Sequence, residues 1–148
     1  MLCRVVFWWK MKEWSFMAKQ EKKDFHGWIE VKENVHYAGR MPDIREGEIW
    51  WCAVGENVGI EVNGKSDAFS RPVLILKKFS RYGFLGVPLT SREHIGNWYV
   101  GFDFKNKRQY ASLAQVRVFS VLRLYKKMGM IPDSDLKNVR EGFNELFF

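Results

Sequence analysis

Two neighbouring apolar runs constrain the fold of this chain more than any other feature of its sequence. They are "RPVLILKKF" at residues 71–79 and "FLGVPL" at residues 84–89, and only the four residues "SRYG" separate them. Short apolar runs bounded by turn residues are typical of β-strands, and a four-residue connection is typical of an antiparallel hairpin. The chain is therefore expected to build its core around a β-hairpin.

A four-residue turn also predicts which residues of the two strands lie opposite each other. Val73 is expected to face Thr90 and Pro72 to face Ser91, so that Arg71 emerges beside the two hydroxyls. Opposite side chains in such a pair have Cβ atoms roughly 5 Å apart. An arginine offers a planar fork of donors to phosphate oxygens, and hydroxyls add uncharged donors. These residues suit a phosphodiester, although a strand that opens with Arg-Pro and one that ends with Thr-Ser can equally be structural.

The rest of the chain predicts more short strands, with helices towards the two ends. Further strands are predicted at 48–54, 98–104 and 110–121, and helices at about 19–36, 122–129 and 132–148. A polar, glycine-rich loop is expected at 55–70. Pro88 and Gly86 inside the second apolar run predict an edge strand or a bulge. This order of elements predicts a mainly β fold of the α+β class, built as a small, strongly bent antiparallel sheet or open barrel.

Positive charge is concentrated in the middle of the chain. Of a net charge of +7, the segment Lys65–Arg108 holds +6, from nine Lys and Arg against three Asp and Glu. A basic excess confined to one segment favours a polyanion or an acidic protein as partner. The alternative is a cationic face that only keeps the protein soluble.

The cysteines and the apolar segments argue against several classes of protein. Cys3 and Cys52 form no CxxC motif, and no His/Cys cluster has the spacing of a zinc site, so no metal or other cofactor is expected. Two isolated cysteines in a chain of 148 residues argue against a disulfide framework and fit a reducing, cytoplasmic setting. No apolar run approaches the roughly 18 residues of a membrane-spanning helix.

Residues 1–44 are expected to form an N-terminal extension to a domain at 45–148. The first sixteen residues hold three of the seven tryptophans and match neither a helical nor a strand period. They are interpreted as an upstream extension, with Met17 as a natural start, or as an amphipathic segment that lies on a membrane surface.

Several motifs, in their order and spacing, resemble those of one known family. They are "REGEIWWCAVGENVG" from Arg45, the first hairpin strand, "FLGVPLTS", "LAQVRVFSVLRLYKKMG" from Leu113, and the terminal helix. Over residues 45–147 the chain resembles the PemK/MazF toxins of type II toxin–antitoxin modules. The resemblance implies a small SH3-like barrel, a homodimer, and metal-independent, sequence-preferring endoribonuclease cleavage of single-stranded RNA to 2′,3′-cyclic phosphate and 5′-OH ends. It also implies a small acidic antitoxin as partner, with which the toxin binds DNA.

The resemblance implies catalytic roles for three residues in and before the hairpin. Arg71 matches the catalytic arginine of the family's "RP" motif and would stabilise the charge of a phosphorane-like transition state. Thr90 matches the hydroxyl residue that ends the third strand and would hold the phosphate. Glu61, in "GIEVNG", is similar to a loop glutamate of the family and would orient or deprotonate the 2′-OH.

A second group of residues is expected to bind the RNA. Its members are Ser91, Gln115, Arg117, Lys65, His94 and Trp98. Gln115 and Arg117 match a "QxR" pattern of the family near its dimer and RNA groove. His94 could also assist proton transfer, and Trp98 or its neighbour Tyr99 could stack on an unpaired base.

Two departures from the family pattern keep other functions open. Ile60 stands where family loops often carry a serine, and Ala114 stands where some members have an acidic residue. A barrel of the same fold that binds RNA without cutting it is therefore one alternative. Another is a CcdB-like toxin, which binds DNA gyrase through its C-terminal helix, although "NELFF" does not obviously supply the terminal tripeptide used there.

Overall fold

The computed structural model describes residues 22–148 and shows an antiparallel sheet with one helix before it and one after it. In chain order the elements are α1 (Phe25–Tyr37), β1 (Glu48–Ala53), β2 (Ser70–Lys78), β3 (Gly83–Thr90), β4 (Tyr99–Phe104), β5 (Lys107–Ser112), β6 (Arg117–Ser120), β7 (Leu124–Met130) and α2 (Asp133–Phe147). The expectations for the first sixteen residues and for Met17 lie outside the described residues. Neither described helix is long and apolar enough to cross a membrane.

Six strands form one path across the sheet, and the seventh pairs with the middle of that path. The order is β4-β5-β3-β2-β1-β7, every neighbouring pair is antiparallel, and β6 pairs with β3. The predicted mainly β fold, with a terminal helix and an added N-terminal helix, is confirmed. Because the path has two ends, β4 and β7, the described sheet is open and does not close into a barrel.

β3 is the strand along which the sheet changes partner. Its first half, Gly83–Gly86, pairs with β6, whereas Leu89 and Thr90 pair with β5. Pro88 lies in the gap between these two pairings, where its missing N–H removes no ladder hydrogen bond. Of the two alternatives, the edge strand is wrong, because β3 is central and the proline is tolerated at the change of partner, whereas a bulge does occur in the β2–β3 pairing, opposite Gly86.

The β2–β3 hairpin forms with a register two residues away from the predicted one. Val73 faces Pro88 and not Thr90. One residue of the difference arises in the turn and one at a bulge in the segment Ile75–Lys77, which lies opposite Gly86. When the observed register is continued by two residues, Arg71 lies opposite Thr90, so the correction keeps the expected pair of residues together.

The short helix predicted at 122–129 is wrong. Leu124–Met130 is a strand that pairs with β1 and forms one end of the sheet. The lysines before Gly129 imitate the last turn of a helix, but β1 offers an unpaired edge, and its backbone ladder outweighs local propensity.

α1 begins later than predicted and turns only part of the predicted apolar face, Trp28 and Val35, towards the sheet. It starts at Phe25, after Asp24, whose side chain accepts a hydrogen bond from the Gly27 N–H and caps the helix. The sequence pattern predicts an apolar face formed by Phe25, Trp28, Ile29 and Val35. Within α1 only Trp28 is buried, whereas Phe25 is 46% exposed and Ile29 is 52% exposed. α1 is therefore attached through the buried Trp28 indole and the half-buried Val31 and Val35, which pack against the same cluster.

The core lies on both faces of the sheet, and β2 is buried on both. Leu74 and Leu76 belong to a cluster that packs against α2, whereas Val73 and Ile75 belong to another cluster that includes Phe119 of β6. A strand covered on both faces needs a continuous apolar run, and this requirement explains "VLIL" at its centre.

A buried carboxylate links the start of β1 to β7. Glu48 is 3% exposed and accepts hydrogen bonds from the Trp50 indole N–H at 2.9 Å, the Arg45 N–H at 3.1 Å and Lys127 Nζ at 2.5 Å. Burial by itself would raise the pKa of Glu48, but these donors outweigh burial, and the pKa lies below its usual value near 4.5. Because Lys127 belongs to β7, the ion pair also holds this terminal strand.

We expect Glu48→Gln to lower the free energy of unfolding at neutral pH by about 2 kcal/mol, because three donors lose their charged acceptor. The folded-state pKa lies below the unfolded one, so the carboxylate stabilises the fold above about pH 4.5. This contribution disappears as the pH falls through the folded-state pKa. Urea unfolding of both proteins between about pH 7 and about pH 3 should therefore give free energies that converge in acid.

The exposed Glu145 on α2 provides the control for this experiment. Glu145→Gln should change the free energy of unfolding by less than about 0.5 kcal/mol at every pH. If the difference in the free energy of unfolding between Glu48→Gln and the wild type stayed constant down to the lowest pH, the charge of Glu48 would not be what stabilises the fold.

Candidate functional site

The end of the β2–β3 hairpin opens into a groove with a volume of about 340 Å³. Arg71 on β2 and Thr90 at the end of β3 both line this groove, so the structure brings together the two residues that the hairpin predicts. Its other lining residues are Ile60, Val62, Lys65, Pro88, Leu89, Arg92, His94, Tyr99, Ser112 and Gln115. The complete lining contains three cationic side chains, Arg71, Lys65 and Arg92, and no carboxylate. Such a surface suits an anionic ligand.

Two backbone carbonyls hold the guanidinium of Arg71. Its Nε donates to the Asn63 carbonyl at 2.8 Å, and its Nη1 donates to the Leu89 carbonyl at 3.3 Å. Burial, and to a smaller extent the charge of Arg92, lower the pKa of Arg71 below its usual value. Among residues 22–148 no carboxylate forms an ion pair with it. The charge is thus oriented by neutral groups and is available to a ligand.

Two asparagines brace the loop between β1 and β2, which supplies the Asn63 carbonyl. The Asn57 side-chain amide donates to the Val62 carbonyl at 2.7 Å, and the Asn57 N–H donates to the Asn63 side-chain oxygen at 2.7 Å. At the stem of the loop, the Gly64 N–H donates to the Gly55 carbonyl at 2.8 Å. The loop is closed on itself by these bonds, and the carbonyl that accepts from the guanidinium is fixed in place.

Gln115 fastens the tip of the same loop to the rest of the domain. Its side-chain oxygen accepts from the Val62 N–H, and its side-chain nitrogen donates to the Ile60 carbonyl, both at 3.0 Å. Gln115 lies in the short turn between β5 and β6, so these bonds join the loop to a distant part of the chain. Both ends of an amide that the sequence assigns to RNA binding are therefore engaged with the loop backbone.

Glu61 and Arg117 lie outside the groove. They line a second cavity of about 430 Å³, which shares only two of its lining residues with the groove. The Glu61 carboxylate accepts a hydrogen bond from the Val58 N–H at 3.1 Å within its own loop. The Arg117 guanidinium lies 4.9 Å from the centre of the Phe119 ring. The structure thus does not bring these two expected site residues to Arg71.

The other residues expected to bind RNA divide into two pairs. Lys65 and His94 line the groove. Ser91 is exposed and Trp98 is 58% exposed, and neither is among the lining residues, although both lie close to His94 along the chain.

Sequence reasoning missed Arg92 and Ser112 as groove residues and considered Tyr99 only as an alternative. The Arg92 N–H donates to the Thr90 hydroxyl at 3.2 Å. Tyr99 stacks on His94, with ring centres 4.1 Å apart and an interplanar angle of 7°. The position of Arg92 directly after the Thr-Ser pair was a usable signal. Tyr99 and Ser112 become neighbours only through the pairing of β4 with β5.

The described residues offer ligands for anions more readily than ligands for metals. Between residues 22 and 148, no three His, Cys, Asp or Glu side chains are grouped so that they could hold a metal ion. Cys52 is fully buried, and burial raises the pKa of its thiol to about 12. At neutral pH this thiol is therefore protonated and inaccessible, so it is not a candidate nucleophile.

Comparison with solved structures identifies the class of fold. MazF from Deinococcus radiodurans aligns over 72% of this chain and 96% of its own, at 18% identity and a TM-score of 0.56. The MazE–MazF complex of that organism aligns over 72% and 95%, at 18% identity and a TM-score of 0.54. An endoribonuclease from a mycobacterial species, in complex with its cognate antitoxin, aligns over 70% and 93%, at 13% identity and a TM-score of 0.53. The fold is that of a small MazF-like β-domain.

A family model identifies the chain more closely. The model of the PemK-like, MazF-like toxin of type II toxin–antitoxin systems matches residues 45–147. This match covers well over half of the sequence, and the chain belongs to that family. No curated protein sequence matches it. The matched residues begin after α1.

We expect Gln115→Ala to loosen the loop tip without unfolding the sheet, because both side-chain hydrogen bonds to the loop disappear. The Val62 amide should exchange with solvent deuterium about tenfold faster than in the wild type. Gln109→Ala is the matched control, since the half-buried Gln109 on β5 makes no side-chain hydrogen bond among the described residues. Equal exchange at Val62 in Gln115→Ala and the wild type would show that the two bonds do not restrain the loop.

Proposed function

We propose that this protein is the toxin of a type II toxin–antitoxin module and a metal-independent, sequence-preferring endoribonuclease that cuts single-stranded RNA. The observation that carries the proposal is the convergence of Arg71 and Thr90 in an open groove that also holds Lys65 and Arg92. The family match supports it, and the similar solved structures include proteins described as endoribonucleases. The products would carry 2′,3′-cyclic phosphate and 5′-hydroxyl ends.

RNA carries its own nucleophile, so the groove has to supply proton transfer and charge stabilisation. The 2′-oxygen attacks the adjacent phosphorus, the bond from phosphorus to the 5′-oxygen breaks, and the 5′-oxygen takes up a proton from solvent. Arg71 stabilises the phosphorane-like charge through its guanidinium, and the Thr90 hydroxyl donates to a phosphate oxygen. Lys65 and Arg92 bind phosphates on either side, which makes binding dependent on salt.

The proton of the 2′-hydroxyl requires an acceptor in the groove. Glu61, to which the family resemblance gives this role, accepts a hydrogen bond from the Val58 N–H and lines the neighbouring cavity. His94 contributes an imidazole to the same groove as Arg71, and the stacked Tyr99 ring orients it. We therefore assign the general base to His94 and give Glu61 a role in shaping the loop.

Single-stranded RNA fits this surface better than a duplex, because unpaired bases expose their faces. Trp98 lies on the loop that follows β3, four residues after His94, and leaves 58% of its surface exposed. An exposed indole is a suitable platform for one unpaired base beside the scissile phosphate.

The proposed partners follow from the same charges. The basic segment Lys65–Arg108 favours an acidic antitoxin that covers the groove and competes with RNA. The mycobacterial endoribonuclease with its antitoxin and the MazE–MazF complex support this partner. A homodimer, DNA binding together with the antitoxin and a cytoplasmic location complete the proposal, with residues 45–148 as the nuclease domain and 1–44 as an extension.

One observation favours a second candidate function, which is RNA binding without cleavage. No carboxylate lines the groove, Ala114 adds none nearby, and Glu61 is engaged within its loop. If His94 is not a competent base, the same cations would still bind RNA and the protein would block its RNA instead of cutting it.

We expect the purified protein to cut long single-stranded RNA in EDTA, and Arg71→Ala to cut it about 100- to 1,000-fold more slowly, because the transition state loses a cation. Thr90→Val should slow turnover about tenfold with little loss of binding, since one neutral hydrogen bond disappears. Arg81→Ala is the matched control, because Arg81 is exposed in the turn at the opposite end of the hairpin. The 5′-hydroxyl ends are detected by enzymatic phosphorylation of the fragments.

The outcomes of this experiment separate the candidate functions. If Arg71→Ala cut RNA as fast as the wild type, the catalytic residues would lie outside this groove. RNA binding without cuts in the wild type would support the second candidate, and capture of DNA gyrase without RNA binding would support a gyrase poison.

We expect His94→Ala to lower the cleavage rate about 100-fold while RNA affinity changes less than about threefold, because a general base acts on the proton and not on the phosphate. Glu61→Gln should stay within about threefold of the wild-type rate if its carboxylate only shapes the loop. Both variants should bind a 2′-deoxy oligonucleotide, which lacks the nucleophile, as the wild type does. A larger loss of rate in Glu61→Gln than in His94→Ala would return the role of base to Glu61.

A further inference from the structure

α1 contacts the stem of the loop that orients Arg71, although it lies before the residues that match the family. The Trp28 indole, 7% exposed, packs against Gly55 at the start of this loop. Gly55 has a φ of +98°, and a Cβ atom there would lie 2.5 Å from the indole. Glycine therefore meets two requirements at once: the left-handed backbone and the close approach of Trp28.

Two further groups hold the indole at the loop stem. The centres of the Trp28 and Phe69 rings are 5.8 Å apart, and the Phe69 carbonyl accepts from the Gly55 N–H at 3.0 Å. The Arg123 guanidinium lies 5.7 Å from the centre of the indole and donates to the Ala53 carbonyl at 2.8 Å. Trp28 is thus connected to both strands that flank the loop.

Lys23, just before α1, reaches further along the same loop. Its Nζ donates to the Asn57 carbonyl and, at 3.4 Å, to the Gly59 carbonyl. Asn57 is bonded in turn to Asn63, whose carbonyl accepts from Arg71. A continuous path of contacts therefore leads from the N-terminal helix to the guanidinium in the groove.

We propose that α1, together with Lys23 just before it, is a positioning element of the groove, in which Trp28 and Lys23 hold the loop 55–64 so that the Asn63 carbonyl orients Arg71. The inference rests on the proposed nuclease function, because a fixed guanidinium matters at the scissile phosphate. A glycine-rich surface loop samples many conformations unless packed contacts restrict it, and small displacements of a catalytic group lower the rate steeply. Because Trp28 is the one buried residue of α1, most of the restraint passes through this side chain.

Hydrogen–deuterium exchange tests the restraint without any reference to activity. The readout is the exchange of the Gly55 and Gly64 amides, which are bonded within the loop stem. Trp28→Ala should accelerate this exchange about tenfold or more, and Lys23→Ala about threefold, while the amides of β2 keep their rates. Lys22→Ala, a change at the exposed neighbouring lysine, is the matched control and should have no effect.

Single-turnover cleavage of single-stranded RNA tests the consequence for Arg71. Trp28→Ala should cut about 10- to 100-fold more slowly, with an RNA affinity within about threefold of the wild type. Trp28→Phe should recover most of the rate, because it keeps a ring on the loop stem. In an Arg71→Ala background, Trp28→Ala should cause no further loss, since the group that it positions is gone. An equal loss in both backgrounds would overturn the proposal.

The two readouts distinguish failure of this proposal from failure of the nuclease function. If the wild type cuts no RNA, the proposed function fails, and the exchange rates still decide whether α1 restrains the loop. Unchanged exchange at the stem in Trp28→Ala would overturn the restraint whatever the activity. If Trp28→Ala does not fold, Lys23→Ala decides, and unchanged exchange together with unchanged cleavage in that variant would overturn the proposal.

Discussion

The change of partner along β3 determines both the division of the sheet and the position of the groove. β3 pairs with β6 over its first half and with β5 at its end, while β2 runs along its other side. On the side away from β2, no single neighbour pairs with the whole of β3, so the sheet divides near Pro88 and buries apolar side chains on both faces. Thr90 is left where β5, β3 and the start of β2 meet, and Arg71 enters at this point. The groove is therefore a consequence of strand pairing and does not depend on loop conformation alone.

Elements that depend on neighbouring residues could be predicted from the sequence, and elements that depend on distant pairing could not. The hairpin follows from two apolar runs and a short turn, and α2 follows from its helical period of apolar residues. The sequence pattern predicts a helix where β7 lies, because β7 becomes a strand only by pairing with the free edge of β1, 70 or more residues earlier in the chain. The position of the bulge at Ile75–Lys77 also depends on pairing between strands, because a bulge forms where the faces of two paired strands have to be fitted together.

The same distinction holds for the residues of the candidate site: those brought together within one hairpin can be predicted from the sequence, and those brought together by the pairing of other strands cannot. Arg71 and Thr90 were found because one hairpin carries both. The Tyr99–Ser112 pair was missed because it depends on how β4 lies against β5. The family resemblance predicts a catalytic role for Glu61. The direction of a loop side chain, however, depends on hydrogen bonds inside the loop, and the Glu61 carboxylate accepts a hydrogen bond from the Val58 N–H and lies outside the groove.

On the side of the loop that faces the groove, the restraining side chain is a neutral amide, and this has an electrostatic consequence. Gln115, which lines the groove together with Arg71, restrains the loop tip without a negative charge, whereas a carboxylate at this position would attract the guanidinium and compete with a phosphate. Half-buried, near Arg92 and without a carboxylate partner among residues 22–148, the Arg71 guanidinium has a lowered pKa, so its charged form is less favourable in the groove than in water. A bound phosphate would remove that penalty, and an acidic antitoxin segment would remove it equally well. Under the proposed function, RNA cleavage and inhibition by the antitoxin therefore depend on the same cationic side chains. A variant that paired these cations with new carboxylates to stabilise the fold would weaken both cleavage and antitoxin binding.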